Sequence, residues 1–380
     1  MNILLQDNGL HLRFAPLTLT RPVGNLRMGI FTNDERWKQL LPEVSVYFGT
    51  EKYLQPKFPA TDHADLLVNA AVIANRELAD AAVALKEGDQ LIQGDTWILQ
   101  KGDTVLNKIT YTGKLVILTE RWDLYQQNGE VLKADFALLT ADRKSQPLSA
   151  SNTVIGDPLL VFLEAGASVE ASILNTKEGP VYIGSNAEIM EGCIVRGPLA
   201  LCESAGLKLG TKVYGPTTLG PHVKVGGEVN NVIFQAYSNK GHDGFLGNSV
   251  IGEWCNLGAD TNASNLKNDY GLVSAYSYET REIEKTSVTF MGLIMGDHSK
   301  CGINTMFNTA TVVGVSANIY GAGFPEKQIP SFSWGGPEGM VPFRLDKAIK
   351  VAEAMMSRRN VTFTEADQAI FEHLVGSETV

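Results

Sequence analysis

The apolar positions of this chain follow a period that neither a helix nor an ordinary strand has. Counting in sixes from Ile183 meets Ile183, Ile189, Val195, Leu201, Leu207, Val213, Leu219 and Val225, all aliphatic. Two places before each stand mostly small or β-branched residues, such as Val181, Ala187, Thr211 and Val223. Helices repeat near 3.6 residues and strands near 2, so a sustained six needs another architecture. A parallel β-helix supplies it. Each hexad forms one side of a triangular coil, about 18 residues close a turn, and the aliphatic residues point inward and stack from coil to coil. Gly184, Gly220 and Gly226, each just after an inward residue, suit the tight corners.

The register returns as Phe245, Ile251 and Leu257, and again as Met295, Cys301, Phe307, Val313 and Ile319. These runs are out of phase with the first and with each other. A weaker start is visible at Ile155, Leu163 and Val169. The phase changes predict two interruptions, about 226–244 and 258–294, read as loops ejected from the solenoid, where function usually sits.

The flanks have other periods. VSVYFG and KLVILT read as strands, RELADAAVALKEG as a helix ended by Gly88, and QLIQ-GD-TWIL as a hairpin turning on Gly94-Asp95. The polar stretch 141–153 reads as a linker. After Gly323, a Pro- and Gly-rich loop precedes a helix over 344–359, with Ala348, Val351, Ala352 and Met355 on one face. A second helix starts at Thr364, where Asp367 completes a capping box. Arg358 and Arg359 suit that first helix's C-terminus, with phosphate binding as the other reading. The expected organisation is an α/β domain over 1–150, a β-helix over 151–325, and a loop with helices over 326–380 that cap the solenoid's open edge.

Composition narrows the function. A net charge of −10 argues against nucleic acid as a partner. Cys193, Cys202, Cys255 and Cys301 are too scattered for a zinc site or a disulfide framework. Residues 1–9 lack the apolar core of a signal peptide, and no run approaches the ~20 apolar residues of a membrane span. A reduced, cytoplasmic protein without a membrane partner is expected.

The hexads resemble those of the left-handed parallel β-helix of hexapeptide-repeat proteins, which are mostly acyltransferases and usually homotrimers. The segment RFAPLTLTRPVGNLR (13–27) resembles the signature of sugar-nucleotide pyrophosphorylases at Arg13, Pro16, Leu17, Thr18, Pro22 and Leu26. It departs at Val23, where that family has lysine, and in DNGLHL (7–12), which holds one glycine where a Gly-rich loop is expected. The resemblance implies an α/β nucleotidyltransferase-like domain. Arg13, Arg21 and Arg27 are then candidates to grip a nucleoside triphosphate, set against a purely structural role. Asp95 is a candidate carboxylate for the Mg2+ such chemistry uses, although a hairpin turn explains it better.

Together the two halves resemble the bifunctional N-acetylglucosamine-1-phosphate uridyltransferase/glucosamine-1-phosphate acetyltransferase family. SNKGHDGFLG (238–247) is similar to that family's Ser-Lys-Ala-Gly-His segment and the Tyr-Leu-Gly that follows, and NLGADTNASNLKNDYG (256–271) to its Asn-Ile-Gly-Ala-Gly-Thr…Asn-Tyr-Asp-Gly. The resemblance implies His242 as the base of acetyl transfer, and Lys240, Asn265 or Asn268, Tyr270, Lys267 and Arg281 as substrate-binding residues. Asp243 is a weak candidate to orient His242. His298 reads first as a structural corner and second as a site residue.

Imidazole titrates near neutral pH, which suits a base that must take a proton from an attacking amine. The implied activity is acetyl-CoA-dependent N-acetylation of an amino-sugar 1-phosphate, joined to uridyl transfer in UDP-N-acetylglucosamine synthesis. Two other readings stay open. One is a nucleotidyltransferase whose β-helix only oligomerises it. The other is a non-catalytic sugar-nucleotide scaffold. Phe245 replaces the family's tyrosine, and Asn230 and Asn231 stand where it has lysines, so glucosamine-1-phosphate is not fixed as the acceptor.

Overall fold

The computed structural model describes residues 1–378. The N-terminal region is a mixed six-stranded sheet in the order Ser45–Gly49, Asn2–Gln6, Leu66–Asn69, Thr96–Lys101, Asp89–Gln93, Asn107–Thr110. The first three strands are parallel, and Thr96–Lys101 runs antiparallel to both of its neighbours. The hairpin turns on Gly94-Asp95 as read, with Gln93 paired to Thr96. KLVILT contributes only the short strand Val116–Ile117. The helix Arg76–Ala84 is N-capped by Asn75, whose side chain accepts from Leu78 N at 2.8 Å. It stops before Gly88, whose φ of +85° serves the turn into the next strand rather than a helix cap.

From Thr153 the chain winds into a triangular parallel β-solenoid. Its first side stacks Thr153–Ile155, Ile173–Asn175, Ile194–Arg196 and Lys212–Tyr214. The second stacks Val161–Leu163, Val181–Ile183, Leu199–Leu201 and Thr217–Leu219. The third stacks Ser168–Val169, Glu188–Ile189, Gly206–Leu207 and Lys224–Val225. The hexad residues Ile183, Val195, Leu207 and Leu219 are buried inward, in one continuous apolar core. Gly220 could be nothing else: a Cβ there would fall 1.7 Å from the carbonyl oxygen of Gln235 on the next coil.

The expected first interruption is not a loop. The chain stays in the solenoid through 226–244, but the coil is shortened. Inward positions follow at Val229, Phe234 and Lys240, steps of four, five and six residues after Val225. Glu228–Phe234 is one continuous strand pairing with both Lys212–Tyr214 and Thr217–Leu219, and Phe245–Ile251 stacks on it along its whole length. The phase is lost because corners tighten. The second interruption is a true excursion. Between Asn262–Ala263 and Ile294–Met295 the chain leaves the coil and forms the hairpin Ser274–Tyr276 with Ile283–Lys285. Val273, Ala275, Val288 and Met291 from this excursion are buried with Phe14, Trp122 and Tyr125 in the N-terminal core.

The C-terminal helices are Leu345–Ser357 and Glu365–Glu378. Thr364 and Asp367 form the capping box, with Asp367 N donating to Thr364 Oγ1 at 3.2 Å and Thr364 N to Asp367 Oδ2 at 2.9 Å. The helices do not cap the open end of the solenoid. That edge is taken by an antiparallel hairpin, Ser333–Gly336 with Gly339–Pro342, whose first strand continues the third side after Asn318–Ile319. The helices lie instead against a lateral corner. There Ala348, Ala352 and Phe371 share a core with Ala15, Leu19 and Leu54 of the N-terminal region and with Val315 and Phe332 of the solenoid.

Candidate functional site

The loop that carries His242 starts from an unusual residue. Lys240 stands at an inward position of the third side, between Val225 and the next coil, and is 1% exposed. Its Nζ donates to the carbonyl oxygens of Gly226, at 2.9 Å, and His242, at 3.0 Å. Burial pulls this ammonium down to about 8, with Asp243 and Asp260 acting the other way. Lys240 is therefore not a substrate-binding cation: it lies inside the coil and bonds to backbone. Alternation explains the result, since Asn239 takes the outward place on the same strand and sends Lys240 in.

His242 and Asp243 are exposed at the corner that follows. The loop rests directly on the coil below: a Cβ at Gly226 would fall 2.7 Å from Gly241 O and 3.2 Å from His242 N. The coil above holds it too, through Asp260 N to Asp243 O at 3.0 Å and Phe245 N to Asn262 Oδ1 at 2.8 Å. Asp243 makes no side-chain hydrogen bond to His242 among the described residues, so it does not orient the ring. Among the described residues the His242 imidazole has no hydrogen-bond or ion-pair partner, and its backbone is fixed from below, above and inside.

The excursion scatters its candidates. Asn265 is half-buried over the strand that follows His242, with Nδ2 donating to Asn248 Oδ1 at 2.7 Å and its carbonyl accepting from Met291 N at 3.0 Å. Of the substrate-binding set it lies over the strand that follows the His242 corner, beside Gly247 and Asn248, because Leu246 pairs with Ala263 two residues before it. Asn268 and Tyr270 are exposed on the outgoing arm, and Lys267 is paired with Asp269 at 3.0 Å. Arg281 is at the tip of the hairpin, near Glu279, which reaches across to Arg13.

Two of the N-terminal arginines face the solenoid, not a phosphate. Arg21 is buried and pairs with Asp297 at 2.5 Å and Glu253 at 2.8 Å. Burial works against its charge, and the two carboxylates more than offset this, holding the guanidinium above its ordinary range. Arg27 is also buried, bonded to Gln235 O, Ile30 O and Glu35. Neither can grip a nucleotide while these bonds stand. Arg13 is partly exposed, but it pairs with Glu279 at 2.9 Å and Glu120 at 3.7 Å. The cavity of about 290 Å³ beside it is lined by Glu120, Glu279 and Glu284 as well as by Arg13, Arg121 and Lys285, a mixed rather than a cationic surround. Asp95 sits at an exposed turn, and among the described residues no group of three or more His, Cys, Asp or Glu is placed to hold a metal.

Comparison with known proteins divides along the same line. Residues 3–144 match the model of a sugar nucleotidyl transferase family. An uncharacterized acetyltransferase, YaiX of Escherichia coli, is 24% identical over 161 residues, covering 42% of this chain and 69% of the relative. The bifunctional protein GlmU of Methanocaldococcus jannaschii is 33% identical over 104 residues, covering 27% of this chain and 25% of the relative. The chain is similar to GlmU proteins over about a quarter of its length. It is a transferase of the hexapeptide-repeat acyltransferase type and a sugar-related acetyltransferase in its affinities, although it spans only about a quarter of that GlmU's length. The polysialic-acid-specific acetyltransferase NeuO, a solved structure, is 14% identical with a TM-score of 0.27, covering 56% of this chain and 99% of that one.

In this chain the segment 13–27 acts as a docking element within the fold. Thr20 donates to Asp297 at 2.6 Å, beside Arg21, and Arg121 donates to Ala15 O and to Tyr276 O of the excursion. Sequence reading missed the solenoid's half of this contact. Asp297 sits next to His298 in MGDHSKCG, and nothing in its spacing points to a partner 276 residues away. His298 is a corner, with φ +62°, 7% exposed, and packed edge-on against Phe371 at 5.3 Å.

Proposed function

We propose that this protein transfers an acetyl group from acetyl-CoA to the amino group of a sugar phosphate, with His242 as the base. One observation carries this reading: His242 offers a free imidazole at an exposed solenoid corner whose backbone is fixed from the interior by Lys240. The amine attacks the thioester carbonyl, and a tetrahedral oxyanion forms. Its collapse breaks the C–S bond, leaving an amide and the coenzyme thiolate. His242 takes the proton that the amine loses and returns it to the thiolate. Backbone N–H groups of the glycine-rich corners are the oxyanion donors available nearby. Asn265 is the candidate to position the acceptor, and a homotrimer would add walls from a neighbouring copy. An amino-sugar 1-phosphate on the route to UDP-N-acetylglucosamine is the acceptor class favoured by the GlmU relatives.

The match over residues 3–144 favours a second reading, sugar-1-phosphate nucleotidyl transfer with Mg2+. Against it stand Arg21 and Arg27, whose guanidinium groups are consumed within the fold. Both readings are separated by mass spectrometry of products. The protein is incubated with acetyl-CoA and a panel of amino-sugar phosphates, and separately with UTP, Mg2+ and sugar 1-phosphates. An acetylated product in the first incubation and no UDP-sugar in the second is expected. A UDP-sugar without any acetylated product would replace the first reading by the second.

A further inference from the structure

The outward residues of the third side form a ladder next to the aromatic corner. In register they are Lys224, Asn239, Asn256, Lys300 and Asn318, so five successive rungs carry amines or carboxamides and no carboxylate. Rungs are about 4.8 Å apart. The helix Leu345–Ser357 lies over this ladder and leaves a cleft of about 620 Å³. Asn239, Asn256 and Lys300 line its solenoid wall, Val351, Ala354 and Met355 its helix wall, and Arg358 and Arg359 its end. Tyr237 and Trp254, stacked at 4.1 Å, flank the floor at the corner.

Among the described residues none of Lys224, Lys300, Arg358 and Arg359 has a carboxylate within ion-pair distance, in a chain whose net charge is −10. Lys224 Nζ and Lys300 Nζ donate only to backbone, to Ser204 O at 2.9 Å and His298 O at 2.8 Å. The side chains of Asn239, Asn256, Arg358 and Arg359 make no hydrogen bond among the described residues. A helix C-terminus accounts for a cation near its last carbonyls. It does not account for a donor ladder, free of acids, on the opposite wall of the same cleft.

We propose that this cleft binds the diphosphate group of an organic ester. Guanidinium and ammonium groups suit phosphate oxygens, and the carboxamides bridge the rungs between them. The wall of Val351, Ala354 and Met355 favours an ester over free inorganic diphosphate. A nucleoside diphosphate and the diphosphate of a coenzyme A carry the same group. The proposal stands apart from the role of His242.

Full-length protein is titrated calorimetrically with UDP, with coenzyme A and with inorganic pyrophosphate, at two salt concentrations. Wild type, Arg358→Ala/Arg359→Ala, Lys300→Met and His242→Ala are compared. We expect at least one organic diphosphate to bind, tenfold or more weakly in the double variant and in Lys300→Met, and more weakly at the higher salt. His242→Ala is expected to bind it as wild type does. Arg358 and Arg359 are on the surface end of a helix, so circular dichroism should report an unchanged fold. Binding of coenzyme A alone assigns the cleft to the acyl donor, and binding of UDP assigns it to a nucleotide. Failure of every probe to bind wild type, or equal binding by the double variant, overturns the proposal.

Discussion

Lys240 holds the carbonyl oxygen of His242 from inside the solenoid, Nζ to O at 3.0 Å. An ammonium at a hexad position is costly, because the equivalent residues on the coils below and above, Val225 and Leu257, are apolar. The two carbonyl acceptors at Gly226 and His242 are what that position gains. The exchange fits a residue whose work is to place a loop.

Lys240→Met should therefore separate stability from activity. Lys240→Met removes a buried ammonium that has no ion-pair partner among the described residues, and the desolvation relieved offsets the two hydrogen bonds lost. Thermal unfolding of Lys240→Met should accordingly occur at or above the wild-type temperature. Acetyl transfer should fall, because the corner loses its internal tether. Lys240→Ala should lose about 2–4 kcal/mol through the cavity it leaves. Full turnover in a folded Lys240→Met would remove the positioning role.

The same lysine sets an alkaline signature. Lys240 and Lys300 are both lowered from 10.5 to about 8 by burial. Between those values the unfolded chain binds more protons than the folded one, so stability rises with pH. Urea midpoints should increase from about pH 8 towards pH 10. Lys240→Met should show a shallower rise. An identical slope in the variant would contradict the buried placement.

His298 sets an acid signature of the same sign, in a lower pH window. Burial, reinforced by Lys300 and Lys57, pushes its imidazole well below the ordinary 6.5, with Glu253 and Asp367 acting the other way. The folded state keeps it neutral while the unfolded chain protonates, so its contribution is full above 6.5 and lost as pH falls. Relative to His298→Phe, wild type should lose stability progressively as pH falls below 6.5. Phe suits the site because His298 Nδ1 has no partner and the corner stacks on aromatic rings. Parallel acid unfolding curves for the two proteins would count against this.

Arg21 should prove to be a fold residue. Arg21→Met leaves the buried Asp297 carboxylate and the partly buried Glu253 uncompensated, and breaking such a pair costs about 3–5 kcal/mol. Adding Asp297→Asn should recover part of that loss. A nucleotide-binding role would instead show as weakened UTP binding in a protein of unchanged melting temperature.

Much of the solenoid was legible because its signal is local. An aliphatic residue every six positions has no other use, and Ile183 to Val225 point inward as read. Legibility failed where the coil shortened. From Val225 to Lys240 the turn takes fifteen residues rather than about eighteen, and its last inward residue is a lysine, so the coil resembled a loop. Arg21 and Arg27 failed for a different reason. Their partners Asp297 and Gln235 lie on the other half of the molecule, and a motif cannot show which surface it will face. The corner carrying His242 was found through the resemblance of SNKGHDGFLG to an acetyltransferase segment, while the cleft beside Arg358 arises only when a helix folds back across a stack of asparagines and lysines.

The most direct measurement is release of free thiol from acetyl-CoA in the presence of an amino-sugar phosphate, wild type against His242→Ala. Wild type should release thiol only when acceptor is present, and His242→Ala should be slower by about 10²–10⁴-fold, the range for loss of a general base. Equal rates in the two proteins would contradict the assignment of His242, and no release from wild type with any amino sugar would contradict acetyl transfer itself.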